Sequence, residues 1–135
     1  MSELKPIVAS RLQHCRGEVL IVDDEGLVRK AAERMVNRLG YTVRCASNGQ
    51  EAVEAIARDP QGYSLVVLDL LMPGMDGKET FTQLRAIAPG LNVLLSSGFN
   101  ESESIDDLLR DGAAGFLQKP YELSTLAAEL ERFVG

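Results

Sequence analysis

From Glu18 onward, short apolar runs rich in β-branched residues alternate with longer amphipathic stretches, and that order restricts the chain to few architectures. It is the pattern of βαβ units, in which a parallel sheet is covered by helices on both faces and its strands read as continuous apolar runs. Val19 to Val22, Tyr41 to Cys45, Leu65 to Leu68, Val93 to Leu95 and Ala114 to Leu117 read as five such strands, each expected to be apolar on both faces. Between them Val28, Ala32, Met35, Val36 and Leu39 recur at helical spacing, followed by Ala52, Val53 and Ile56, and then by Phe81, Leu84 and Ile87. A fourth helix over Ser102 to Arg110 is marked by Ile105, Leu108 and Leu109, and a fifth by Leu123, Leu126, Ala127, Leu130, Phe133 and Val134. The fold class is therefore α/β, a doubly wound five-stranded parallel sheet.

Local signals agree with this division. Gly40 stands where a left-handed helix C-cap is expected, and Asn48 with Glu51 three residues later has the form of a capping box. Residues 1–17 show no comparable periodicity and carry Pro6, Arg11, His14 and Arg16, so they read as an N-terminal extension or linker before a domain over 18–135.

No stretch approaches the roughly 18 consecutive apolar residues of a membrane span, and the N-terminus lacks a secretory apolar run. A cytoplasmic chain without membrane contact is expected. Cys15 and Cys45 are too far apart for metal-ligand spacing and too few for a disulfide framework. A net charge of −6 would repel a phosphate backbone, which argues against direct nucleic-acid binding.

Chemistry collects at the strand ends. In parallel α/β sheets, ligands bind beyond the carboxyl ends of the strands, at the switch in strand order. Asp23 and Asp24 end the first strand and Asp69 the third, so neighbouring strands would bring three carboxylates to one pocket. Like charges that close require a cation, and oxygen-only donors favour a hard one such as Mg²⁺. An acidic pair after a strand is in itself a weak signal, because Asp also caps helices and solvates loops.

The combination is more specific. Val22-Asp23-Asp24, the run from Leu68 through Asp69, Pro73 and Asp76 to Gly77, then Ser97-Gly98 and Lys119-Pro120 together resemble the receiver domains of two-component response regulators. The resemblance runs from about Glu18 to Val134. It implies a flavodoxin-like (βα)5 fold with strand order 2-1-3-4-5. It further implies that Asp69 accepts a phosphoryl group from a phosphohistidine on a histidine kinase or histidine phosphotransfer protein. By the same resemblance Asp24 and Asp69 hold Mg²⁺ directly, Asp23 acts largely through water, and Leu71 adds its main-chain carbonyl. Ser97 and Lys119 would contact the phosphoryl oxygens, Phe116 would be an aromatic switch residue, and the Lys119-Pro120 bond would be cis.

Phosphorylation would remodel the surface around the fourth and fifth helices. Such a domain catalyses its own phosphorylation and slow dephosphorylation and turns over no free substrate. The segments around Ser97-Gly98-Phe99 and Gly115 to Pro120 look like those of receivers attached to hybrid sensor kinases, and a homodimer is left open. Each assignment has a plainer alternative: Lys119 as a solvated lysine, Phe116 as a core aromatic, Met72 and Met75 as packing. Phe116 lacks the hydroxyl of the commoner tyrosine, which leaves only packing to couple its rotamer to the site. A flavodoxin-type cofactor binder is disfavoured because Asp23-Asp24-Glu25 would repel a flavin phosphate. A phosphohydrolase is disfavoured because Leu70 and Leu71, not a second acid, follow Asp69. His14, the only histidine, lacks the helical context of a phosphoryl carrier.

Overall fold

The computed structural model describes residues 18–72, 74–98 and 102–134. The extension 1–17 with His14 and Cys15, and the motif residues Pro73 and Phe99, lie outside the described residues. Five strands, β1 (Glu18–Val22), β2 (Val43–Ala46), β3 (Tyr63–Asp69), β4 (Val93–Ser97) and β5 (Gly115–Gln118), alternate with five helices. These are α1 (Gly26–Arg38), α2 (Gly49–Arg58), α3 (Gly77–Ile87), α4 (Ser102–Arg110) and α5 (Leu123–Phe133). All strand pairs are parallel, in the order β2-β1-β3-β4-β5.

Because side chains alternate across a strand, each strand feeds two cores. Leu20, Val22, Val66, Leu68 and Leu95 join Ile56, Phe81, Leu84 and Leu108 on the α2, α3 and α4 side. Val19, Ile21, Val67, Leu94 and Leu117 join Ala32, Val36, Leu126 and Leu130 on the α1 and α5 side. The sheet is thus doubly wound, and the change of direction falls between β1 and β3.

The structure corrects several readings made from the sequence. Burial on both faces holds for most of β1, β3 and β4, but not for β2, where Arg44 and Cys45 are exposed. As the edge strand, β2 has a neighbour on one side only. It also begins at Val43 rather than Tyr41. β4 extends through Ser96 and Ser97, because the ladder continues past the apolar run: Asp69 pairs with Ser96, and Leu70 N–H donates to the Ser96 carbonyl at 3.0 Å. Leu109 is 39% exposed, not buried, since it is turned past the narrow contact made by Ile105 and Leu108. Leu123 is 44% exposed, because the first residue of α5 precedes the stripe that begins at Leu126.

Helix ends carry the expected chemistry. Gly40 has φ +95°, its N–H donates to the Asn37 carbonyl at 3.0 Å, and Tyr41 N–H reaches Val36 at 3.2 Å, the two bonds of a Schellman cap. Asn48 accepts from Glu51 N–H at 2.8 Å. The return bond from Glu51 goes to Ser47 N–H at 2.7 Å rather than to Asn48, so the box is closed one residue earlier than its usual form. Asp76 caps α3 by accepting from Glu79 N–H at 2.9 Å.

Gly77 opens α3 where a side chain has no room. A Cβ there would lie 2.5 Å from Leu70 Cα and 2.9 Å from the Asp69 carbonyl oxygen, both main-chain atoms that cannot turn aside. We expect Gly77→Ala to cost about 3 kcal/mol, the range of overpacked sites. Gly90→Ala, where nothing lies within 4 Å and φ is not positive, should stay within about 0.5 kcal/mol of the parent. Urea denaturation of the two variants checks this, and equal stabilities would contradict the close approach at Gly77.

Candidate functional site

The site lies at the carboxyl ends of β1, β3, β4 and β5. Asp23 directly follows β1 and is fully buried; its N–H donates to the Ala46 carbonyl at 3.1 Å, which extends the sheet by one residue. Its carbonyl accepts from the Arg29 guanidinium at 2.8 Å, and Oδ1 accepts from Glu25 N–H at 3.0 Å. Asp69 ends β3, 3% exposed, with Oδ1 accepting from Leu71 N–H at 3.2 Å. Asp24 is exposed at the rim. One oxygen from each of Asp23, Asp24 and Asp69 lies within 4.8 Å of the others, so the structure brings together the three acids singled out in the sequence.

Lys119 reaches into this cluster from the end of β5. Its Nζ lies 2.9 Å from Asp23 Oδ2, 3.3 Å from Asp69 Oδ2 and 3.7 Å from Glu25 Oε1. Burial works against its charge, but the bond to Asp23 and the charges of Asp69 and Asp23 outweigh it and leave its pKa above the ordinary lysine value. The Lys119-Pro120 bond is cis.

Asp69 shows the opposite balance. Burial, then the charge of Asp23, push its pKa up to about 6, against the opposing pull of Leu71 N–H and Lys119. The three clustered carboxylates carry more negative charge than the Lys119 ammonium offsets. Asp23 Oδ2, buried, meets the Lys119 ammonium at 2.9 Å. Oxygen donors with that surplus are suited to a divalent cation.

Ser97 is buried at the end of β4, and its carbonyl accepts from Lys119 N–H at 3.0 Å. Phe116 stands opposite Leu95 in the β4–β5 register, half-buried against the core on the α2, α3 and α4 side. Leu71, 44% exposed, lines a groove of about 730 Å³ beside Asp69, whose other apolar walls are Leu27, Val28 and Met35 of α1 and Pro120.

The sequence reading missed Arg29, Ser96 and Tyr121, and named Glu25 only as part of the acidic loop after the first strand. Ser96 Oγ and the Tyr121 hydroxyl are 2.8 Å apart, and burial pushes the Tyr121 pKa up to about 12. The available signal was slight: two serines ending an apolar strand, and an aromatic following Lys119-Pro120.

A profile of the response regulator receiver domain matches residues 19–131. Response regulator MprA of Mycobacterium ulcerans is 39% identical over 83% of this chain and 47% of its own length. Sensor kinase CckA of Brucella abortus is 35% identical over 86% of this chain and 12% of its own length. The crystal structure of chemotaxis protein CheY4 of Vibrio cholerae superposes with a TM-score of 0.80 at 26% identity, covering 89% of this chain and all of that one. The chain belongs to the response regulator receiver domain family. It spans from about an eighth to about half the length of these curated relatives. Among the described residues no helix is long and apolar enough to cross a membrane.

A testable consequence concerns pH. The folded Asp69 pKa lies above its unfolded value near 4, so its contribution to stability is full below about pH 4 and lost as pH rises through 6. Asp69→Asn should therefore be more stable than the parent by about 3 kcal/mol at pH 7.5 in chelator, with the advantage vanishing towards pH 4. Urea titrations of both proteins across that range check it. An advantage that is constant with pH would refute the ionisation argument.

Proposed function

We propose that Asp69 is the phosphoryl acceptor of a two-component phosphorelay, taking its phosphoryl group from a phosphohistidine of a histidine kinase or histidine phosphotransfer protein. The observation that carries this reading is the setting of one buried carboxylate: Asp69 Oδ2 lies 3.3 Å from the Lys119 ammonium, with Asp23 and Asp24 alongside. Phosphoryl transfer asks a protein chiefly to position the groups and to neutralise developing charge.

An Asp69 oxygen would form the new bond to phosphorus as the bond to the donor histidine nitrogen breaks; that nitrogen keeps the bonding pair, and the imidazole leaves neutral when its other ring nitrogen carries a proton. With a pKa about 6, Asp69 is ionised at neutral pH, as a nucleophile must be. Lys119 would move its charge from the carboxylate to the incoming phosphoryl oxygens, and the Ser97 hydroxyl would donate to one of them. Mg²⁺ fits the acidic cluster: Asp23, Asp24, Asp69 and the Leu71 carbonyl would hold it, and when bound it would supply charge neutralisation at the transferred group.

Phosphorylation would bias the surface around α4 and α5, because Ser97 and Lys119 end the strands that lead into these helices. Phe116 on β5 would follow by packing alone. A cytoplasmic setting goes with this reading, and so does an output supplied by other parts of a longer protein.

Labelling of the full chain by acetyl phosphate with Mg²⁺ tests the assignment. Asp69→Asn, which keeps the shape and removes the nucleophile, should lose the label entirely. The wild-type label should be cleaved by hydroxylamine, as an acyl phosphate is. A label that survives on Asp69→Asn would overturn the reading.

The metal assignment has its own check. Asp24→Ala leaves two carboxylates and should weaken Mg²⁺ binding by tenfold or more in a calorimetric titration. An unchanged affinity would remove Asp24 from the site.

A further inference from the structure

The four residues between β5 and α5, Lys119 to Glu122, carry the cation of the site, and among their ties to the sheet are two hydrogen bonds to β4. One is Lys119 N–H to the Ser97 carbonyl at 3.0 Å. The other is a side-chain bond, Tyr121 hydroxyl to Ser96 Oγ at 2.8 Å, made by two residues to which nothing above assigns a role. Ser96 is fully buried and pairs with Asp69 in the β3–β4 register, and its carbonyl accepts from Leu70 N–H at 3.0 Å. One residue therefore grips, with its main chain, the strand bearing Asp69 and, with its side chain, the loop bearing Lys119.

We propose that Tyr121, through its hydrogen bond to Ser96, is a positioning residue that holds the Lys119 ammonium against Asp69. The catalytic meaning of this rests on Asp69 being the phosphoryl acceptor. A lysine side chain has four rotatable carbons, and its ammonium reaches Asp69 and Asp23 together only if the main chain that carries it is fixed. The Ser97 carbonyl fixes the near end of the loop; Tyr121 fixes it two residues further on. Burial keeps the phenol neutral across the working pH range, so the bond is a constant brace and not a pH-sensitive latch. Ser96 is fully buried, so its hydroxyl depends on the partly buried Tyr121 as a partner.

Tyr121→Phe keeps the ring and its packing and removes only the brace. Ser96→Ala removes it from the other side. Two measurements on the full chain, with the double variant included, decide the matter. The first follows the Lys119 ε-methylene protons by NMR on protein with 13C-labelled lysine, without metal or donor. The parent should show two distinct proton shifts, as a pinned side chain does, and both single variants should collapse them toward the single shift of a free lysine. The second follows labelling of Asp69 by acetyl phosphate with Mg²⁺ over a range of donor concentrations. The limiting rate should fall about five- to tenfold in each single variant, with the half-saturating concentration unchanged. The double variant should be no slower than either single variant, because one bond is lost in all three.

Unchanged Lys119 shifts in Tyr121→Phe, an unchanged limiting rate, or losses that multiply in the double variant would each overturn the proposal. A loss of stability with parental shifts and rate would make the pair merely structural and count equally against it. If the parent takes no label, the acceptor reading of Asp69 fails, while the NMR arm still decides whether Tyr121 holds Lys119.

Discussion

Two carboxylates, Asp23 and Asp69, are buried side by side at the carboxyl ends of neighbouring strands, and their repulsion has to be offset by nearby positive charge. At separations under 4.8 Å and an effective dielectric of about 20, their mutual repulsion is roughly 3 kcal/mol or more, a large share of the net stability of a typical domain. Lys119 meets both from a strand two places away from β3 and offsets part of that cost. Burial, and then the charge of Asp23, still hold the Asp69 pKa up to about 6 in spite of the ammonium. Stability is thereby given up to keep two carboxylates and an ammonium together at one site.

The sheet order makes that arrangement possible. Since β1 and β3 are neighbours and the chain departs from them in opposite directions, a crevice opens beyond their ends, lined on one side by α1. Asp23 and Asp69 follow strands whose apolar residues anchor both cores, so their positions are set by packing on each side of the sheet. Lys119, by contrast, sits at the end of an edge strand and depends on local ties to Ser97 and, through Tyr121, to Ser96. The rigid half of the site carries the acids, and the half secured by single bonds carries the cation.

The rim of the site is apolar where it faces α1. Leu27 is 87% exposed, and it and Leu71 both line the groove that holds the charged cluster. Exposed leucines in isolation are ordinary, but here they line a concavity that opens onto Asp69.

Much of this was legible in the sequence, for identifiable reasons. Apolar runs and helical spacing repeat over many residues, so the five strands, the five helices and the parallel sheet could be read without coordinates. Capping at Gly40 and Asn48 is local chemistry and was equally readable. Asp23, Asp24, Asp69, Ser97 and Lys119 stand at strand ends in a spacing specific enough to be recognised together. Other features depend on which surfaces meet. The exposure of Arg44 and Cys45 follows from β2 being an edge strand, and that of Leu109 and Leu123 from how much of each helix the sheet covers. The Ser96–Tyr121 bond joins residues 25 apart, and no periodicity marks either one. The sequence by itself determined which residues form strands and helices and which acids end them, because those depend on near neighbours along the chain. Only the tertiary structure decided that Lys119 meets Asp23 and Asp69 together and that Tyr121 braces the loop carrying it, because distances across four strands are set by packing and register.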